Sequence, residues 1–503
     1  MSGPFCLTLS GHRVSIGGMI QIFQRLAPLA LLVAPLPAIA QQAAPTPTPQ
    51  QRSLAAGYIA LTTCSAIFNA RTNGTERSEA SVRANELVGI YPELDPLVRD
   101  MPAEVGEFAV SVSWDDRMPP RVARPDQVRG CTLHPVGLGA EHWLAAPASP
   151  ILLPLVPLAQ WPIGDMPPLH PHLHASSDDA TARAAGVDPN RASPWIVPDL
   201  QSGPVARAFA GGFGANTNTT AVVVLSEGAI IAERYAPGFD IDTPQRTWSV
   251  AKSIAATIVG AAVHRDEADV AAPAAIANWQ HDNDPRRAIT LDHLLRMASG
   301  LTSDTAGNRT DALYFGGTTV DEQTPGWPLI APPGSTFRYA NNDSLLAVMS
   351  INRSFATHPP RDFFARVSMH STIAETDWRG NYMLSSQVWA TARDLARFGQ
   401  LYLNNGEWNG QRILPENWRT YVSTPNGPQP PGEFGYGASF WLMNRSEGVP
   451  ADTFAAIGNR GQYVVIVPSR NIVIVRRGED PAGARFDIAA LTREVLAALE
   501  SGS

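Results

Sequence analysis

The stretch TWSVAKS, residues 247–253, sets a hydroxyl and an amine three positions apart. Residues i and i+3 share a helix face, so a helix starting here stands Ser249 beside Lys252. Lys252 is the single lysine of the chain, and Arg supplies the rest of the 38 Lys and Arg residues. A guanidinium stays protonated in proteins, whereas a desolvated ammonium loses its proton readily and then serves as a base. Val250, Ala251, Ile254, Ala255 and Ile258 supply the desolvating surroundings. A neutral Lys252 can take the Ser249 proton, and the free N–H groups of a helix start favour the negative charge that follows. A coding background that avoids lysine, with Ser249 as an ordinary N-cap, accounts for the same residues.

Two further stretches carry chemistry. In PPGSTFRYANNDSLLAVM, Pro332-Pro333-Gly334 turns the chain and Tyr339-Ala340-Asn341 opens a short helix. A Tyr hydroxyl relays a proton to a leaving group, and an Asn amide orients a lysine or a substrate carbonyl. A core Tyr with an Asn cap is the alternative. The third stretch, Gly458-Asn459-Arg460-Gly461-Gln462, precedes a strong strand. Glycine there lets a ligand approach the strand backbone, and the Gln462 N–H would form an oxyanion hole with that of Ser249. An ordinary turn is the alternative.

These groups need a scaffold, and 503 residues suggest two or three domains. A formal charge of −8 leaves no basic footprint for nucleic acid. The N-terminus reads as a secretory signal over residues 1–40: a basic start ending at Arg25, the run LAPLALLVAPLPAIA, and the small-residue pattern Ala38-Ile39-Ala40. That run is too short and too broken by proline to span a membrane, and no other stretch is expected to. The segment before Met19 is unlike a signal start, so translation is expected to begin at Met19. A periplasmic or secreted protein follows. Cleavage removes Cys6 and leaves Cys64 and Cys131, a disulfide in an oxidising compartment or else two buried thiols.

A linker is expected over 41–52 and a small α+β unit over 53–145. The unit holds a helix around GYIALTTCSAIFNA, a strand EFAVSVSW with Phe108, Val110, Val112 and Trp114 on one face, and a strand VRGCTLHPVG. Residues 146–204 form a Pro-rich linker. Its LHPHLH places His170, His172 and His174 in alternation, but the surrounding prolines and the lack of a completing Cys or carboxylate argue against a metal site. From 205 to 503 come a hairpin (AVVVL, SEG, AIIAERY), the apolar helix TWSVAKSIAATIVGAAV, helices at LDHLLRMA and ARDLARFGQLYL, a second hairpin (QYVVIVP, NIVIVRR) and a terminal helix, DIAALTREVLAALE. The fold expected is α/β: an antiparallel sheet whose first and last strands meet, flanked by helices and carrying a helical insertion.

Together and in this order, the three motifs resemble the serine β-lactamase and penicillin-binding superfamily. The literal Tyr-Ala-Asn is similar to class C β-lactamases and related esterases and D-aminopeptidases. RYAPGFDIDTPQRTWSVAKS, ITLDHLLRMASGL, SSQVWATARDLARFGQLYLNNGEWNGQRILP and RGQYVVIVPSRNIVIVR resemble most the branch typified by 6-aminohexanoate-dimer hydrolase. The resemblance covers about residues 205–498. It implies Ser249 as acylated nucleophile, Lys252 as its base and Tyr339 as proton relay, with no cofactor and no metal.

Where that superfamily carries Lys-Thr-Gly or His-x-Gly, this chain has Asn459-Arg460-Gly461. The usual grip on a substrate carboxylate is absent, unless Arg460 supplies it from the other side of the strand. Asn341, Asn459, Arg460, Gly461 and Trp248 are the candidate substrate contacts, and Trp248, Trp327, Trp378 and Trp441 the candidate lining of an apolar acyl pocket. The leading expectation is an exported hydrolase of small esters or amides. The rivals are a β-lactamase or D-alanyl-D-alanine peptidase, and a binding protein that uses the fold without turnover.

Overall fold

A computed structural model describes residues 46–126, 128–139, 161–165, 196–302 and 310–501. The signal over 1–40, the start at Met19 and the histidines of LHPHLH lie outside the described residues. Residues from Pro47 onward form one compact unit.

Helix α1 (Pro49–Thr72) starts inside the stretch expected as a linker, because Thr48 and Gln51 cap it reciprocally and a proline occupies its first turn. Contrary to the expectation that nothing beyond the leader reaches membrane-spanning length, α1 is long and apolar enough. In the folded chain 89% of its most apolar window is buried against protein. It covers an antiparallel sheet of β1 (Glu104–Val105), β2 (Val110–Val112), β3 (Arg121–Asp126) and β4 (Gly130–Leu133), and the Cys64–Cys131 disulfide ties helix to sheet. The strand expected over EFAVSVSW shrinks to β2. A turn closed by the Gly106 N–H on the Ala109 carbonyl, 2.9 Å, throws Phe108 into solvent at 59% exposure.

The main body opens with β5 (Thr219–Ser226) and β6 (Ala229–Tyr235), joined by a tight turn in which Glu227 and Gly228 both have positive φ. Next come β7 (Gln245–Arg246), α2 (Val250–His264), α3 (Asn341–Ser350), β8 (Val388–Ala390) and α4 (Ala392–Leu403). The chain closes with β9 (Gly435–Tyr436), β10 (Trp441–Leu442), β11 (Phe454–Gly458), β12 (Gln462–Val467), β13 (Ile472–Gly478) and α5 (Ile488–Ser501). The seven-stranded sheet runs β9-β10-β11-β12-β13-β5-β6, so the first hairpin pairs with the last as expected.

Both faces of this sheet are covered, as the near-continuous apolar strands require. Val223, Leu225, Val464, Val473 and Val475 face α2 and α4, whereas Val222, Val224, Val465 and Ile474 face α5 and the segment around Phe213. Gly399 of α4 sits where a Cβ would lie 2.5 Å from Val473, so the helix rests directly on the sheet. Helix α2 is apolar all round because it is buried all round. A third cluster joins α1 and β2–β4 to Trp248, Tyr314, Phe315, Leu345 and Trp389. The N-terminal unit therefore packs directly behind the segment leading to Ser249.

Candidate active site

The β7 strand pairs with β8, and the Thr247 N–H donates to the Val388 carbonyl at 2.8 Å. From β13 the buried Arg477 donates to the carbonyls of Gln245, Arg246 and Ala390. Between β7 and α2 the chain reverses at Trp248, whose φ is 50°. A left-handed backbone at a bulky residue costs roughly 1–2 kcal/mol and persists only where the surroundings impose it. Here they do: the Trp248 ring lies in the cluster behind α1, and the Arg246 guanidinium stacks on it at 3.7 Å. Trp248 thus braces Ser249 from behind, buried at 6% exposure in that cluster.

The reversal leaves Ser249 as N-cap of α2 and brings Lys252 round one turn. The Lys252 amine donates to the Ser249 hydroxyl at 2.8 Å, to Asn341 Oδ1 at 2.5 Å and to the Ser385 carbonyl at 2.8 Å. Among the described residues no carboxylate pairs with it. Burial, helped by the positive charge of Arg246, brings its ammonium down to about 7. The Tyr339 ring lies 5.2 Å from the amine. Burial pushes its phenol well above the usual value, and the neighbouring Ser249 hydroxyl pulls it partly back. Its ring packs against Tyr436 and Trp441, with centroids 5.9 and 5.3 Å away.

Tyr339 and Asn341 stand together because Ala340 enters α3 in an extended conformation, putting the tyrosine before the helix and the asparagine on its first turn. Asn341 accepts from Lys252 through Oδ1 and donates through Nδ2 to the Thr310 hydroxyl at 2.9 Å, which fixes its orientation. It holds the base.

The hairpin tip departs from expectation. Gly458 is the residue that meets the nucleophile: a Cβ on it would lie 2.4 Å from the Thr247 oxygen and 3.0 Å from the Ser249 nitrogen. Gln462 is its ladder partner across the hairpin, with a fully buried side chain that donates to the Arg460 and Gly478 carbonyls and accepts from Arg477. The backbone that meets the Ser249 amide is that of Gly458, the ladder partner of Gln462. The space beside Gly461 is filled by the Arg476–Asp480 ion pair, so its glycine serves packing and not a ligand.

Arg460 is turned away from the site. Its guanidinium pairs with Glu479 at 2.8 Å and donates to the Val88 and Asn85 carbonyls, leaving it buried. It cannot replace the missing cation. Asn459 is exposed beside Gly458, with Oδ1 accepting from the Arg460 N–H at 2.9 Å. Of the four tryptophans only Trp441 adjoins Tyr339. Trp378 bonds the Gly317 carbonyl at the surface, and Trp327 offers its carbonyl to Arg286.

Four residues with no motif of their own complete the site. Ser385 supplies the carbonyl for Lys252, its hydroxyl bonds the Tyr314 hydroxyl, and Arg246 donates to the Ser386 hydroxyl at 2.8 Å. Only the resemblance of SSQVW to relatives marked that stretch, since a serine that acts through its backbone carbonyl leaves no chemical signature in sequence. Among the described residues no cluster of His, Cys, Asp and Glu is placed to hold a metal ion.

The beta-lactamase family profile matches residues 205–497. The 6-aminohexanoate-dimer hydrolase of Paenarthrobacter ureafaciens is 23% identical over 301 residues, which are 53% of this chain and 74% of that enzyme. A Bacillus anthracis structure provisionally assigned as a 6-aminohexanoate-dimer hydrolase is 24% identical, with a TM-score of 0.48 over 57% of this chain and 80% of that one. A provisionally assigned beta-lactamase from Bacteroides dorei is 19% identical, with a TM-score of 0.49 over 59% and 97%.

Proposed function

Given that the chain belongs to the beta-lactamase family of serine hydrolases, we propose that it is an exported enzyme that cleaves a small ester or amide through an acyl-enzyme on Ser249. The observation that carries this reading is the Lys252 amine, 2.8 Å from the Ser249 hydroxyl, buried among neutral acceptors and brought to about 7. At neutral pH a substantial fraction of such an amine is unprotonated and free to accept a proton.

The neutral Lys252 takes the Ser249 proton as Oγ attacks the substrate carbonyl. Negative charge develops on the carbonyl oxygen at the helix start, where the Ser249 N–H lies beside the Gly458 backbone. As the tetrahedral intermediate collapses, the carbonyl bond re-forms and the bond to the leaving group breaks. Tyr339 delivers a proton to the departing oxygen or nitrogen, and Lys252 re-protonates Tyr339. Water then attacks the acyl-enzyme with the same groups in reverse, releasing the acid and restoring Ser249. With Arg460 held by Glu479, the hairpin tip presents no cation for a substrate carboxylate, which favours esters and amides over β-lactams and D-alanyl peptides.

Intact mass followed over time after mixing the mature chain with a short-chain activated ester tests this reading. The expected result is an adduct mapping to Ser249 that forms and decays. A persistent adduct points to an acyl-binding protein without turnover, and the absence of any adduct overturns the proposal.

A further inference from the structure

Arg246 is a buried cation with an unusual set of neighbours. It is 3% exposed, and among the described residues no carboxylate forms an ion pair with it. Its guanidinium stacks on Trp248 at 3.7 Å and lies 5.6 and 5.5 Å from the Tyr314 and Phe315 rings. It donates to the Ser386 hydroxyl at 2.8 Å and to the Ser386 carbonyl at 3.5 Å, while Nη1 is buried without a hydrogen-bond partner. Leaving a guanidinium nitrogen unpaired in an apolar cluster is costly, a cost that Arg121 of β3 shares at its Nε and Nη2. Arg477, Arg476 and Arg460 each find carbonyl or carboxylate acceptors in this same molecule.

The position of that charge suggests its use. Ser386 follows the residue whose carbonyl accepts the Lys252 amine, and Trp248 precedes the nucleophile. One side chain therefore touches the residue before Ser249 and the residue after the carbonyl that accepts the Lys252 amine. We propose that Arg246 is a positioning residue for the base: its unpaired charge keeps the Lys252 amine neutral, while its bonds to Ser386 hold the segment that orients that amine. This rests on the reading of Lys252 as the base of Ser249.

The groups facing Lys252 are Ser249, Tyr339, Asn341, the Ser385 carbonyl and, through space, Arg246. Those facing Arg246 are Trp248, Tyr314, Phe315 and Ser386, with Tyr58, Tyr91 and Glu375 within electrostatic reach. Glu375 is the acidic member of this set, and burial holds its carboxyl up at about 7. It is neutral below that value and ionises above it, so its offset to the Arg246 charge grows as the pH rises.

Because Lys252 is the only lysine in the chain, full-length protein carrying ¹³C-labelled lysine gives a single lysine side-chain signal, and its midpoint is read without substrate. The wild-type midpoint is expected near 7. In Arg246→Gln it rises by roughly half a unit or more, about a threefold change in the protonation ratio. In Ser386→Ala, which keeps the charge, it stays at the wild-type value. An unchanged midpoint in folded Arg246→Gln overturns the proposal, as does a wild-type midpoint in the ordinary lysine range. If the Gln variant does not fold, Arg246→Met, apolar and of similar length, takes its place under the same criterion. The titration needs no turnover, so a failed hydrolase reading, seen as no Ser249 adduct, is distinguishable from a failed role for Arg246.

Discussion

Lys252 and Arg460 are both buried cations in motifs that the sequence singles out, and the fold uses them oppositely. Lys252 ends among a hydroxyl, an amide oxygen and a backbone carbonyl, with the positive Arg246 nearby. Arg460 ends on the Glu479 carboxylate, 2.8 Å away. Neutral acceptors leave desolvation uncompensated and favour loss of the proton, whereas an opposite charge compensates it and fixes the cation in place. A cation within a motif therefore does not by its residue type tell a proton acceptor from a pin; the partner does.

The largest expected effect comes from erasing this difference on the Lys252 side. Lys252→Arg keeps the charge and removes the ability to accept a proton, so kcat/KM should fall by about 10³-fold or more. Hydrolysis of the activated ester, with the Ser249 adduct followed by mass, measures it, and near-normal turnover would sink the mechanism. Gly458→Ala is next: the new methyl meets Thr247 and Ser249 at 2.4 and 3.0 Å, and displacing the nucleophile should cost roughly 10²-fold. The acylation rate of the folded variant measures that, and a wild-type rate would return the second oxyanion donor to the Gln462 side. The smallest effect on catalysis is expected at Arg460→Met. It strands Glu479 and lowers stability by about 3–5 kcal/mol, while the rate per folded molecule stays within about tenfold. A urea midpoint combined with active-site titration separates the two quantities. A collapse of the rate at unchanged stability would place Arg460 back in the site.

Much of the scaffold was legible because its signals are local. The hairpin 219–235 has apolar strands around a Glu227-Gly228 turn, and α2 is uniformly apolar. The Ser249–Lys252 contact follows from helical spacing alone. Other features were not local. The turn at Gly106 exposes Phe108 although the alternation of EFAVSVSW is regular. By composition α1 passes for a membrane span, and only β2–β4 and the segment around Phe315 show what covers it. Gly458 and Gly461 look equivalent in GNRGQ, yet one makes room for the nucleophile and the other for an ion pair.

By itself the sequence determined that the basic side chain at this helix start can be a base, because a lysine gives up a proton where an arginine does not, and it placed that lysine one helical turn from a serine. The tertiary structure decided what surrounds that amine. The Ser385 carbonyl lies 133 residues away and Asn341 lies 89 away, and both reach it only when β8 and α3 close around α2. The physical reason is that proton affinity depends on what surrounds a charge in space. Arg246, six residues before Lys252 in the chain, is held within electrostatic reach of it by a stack on Trp248 and a bond to Ser386 that no spacing encodes.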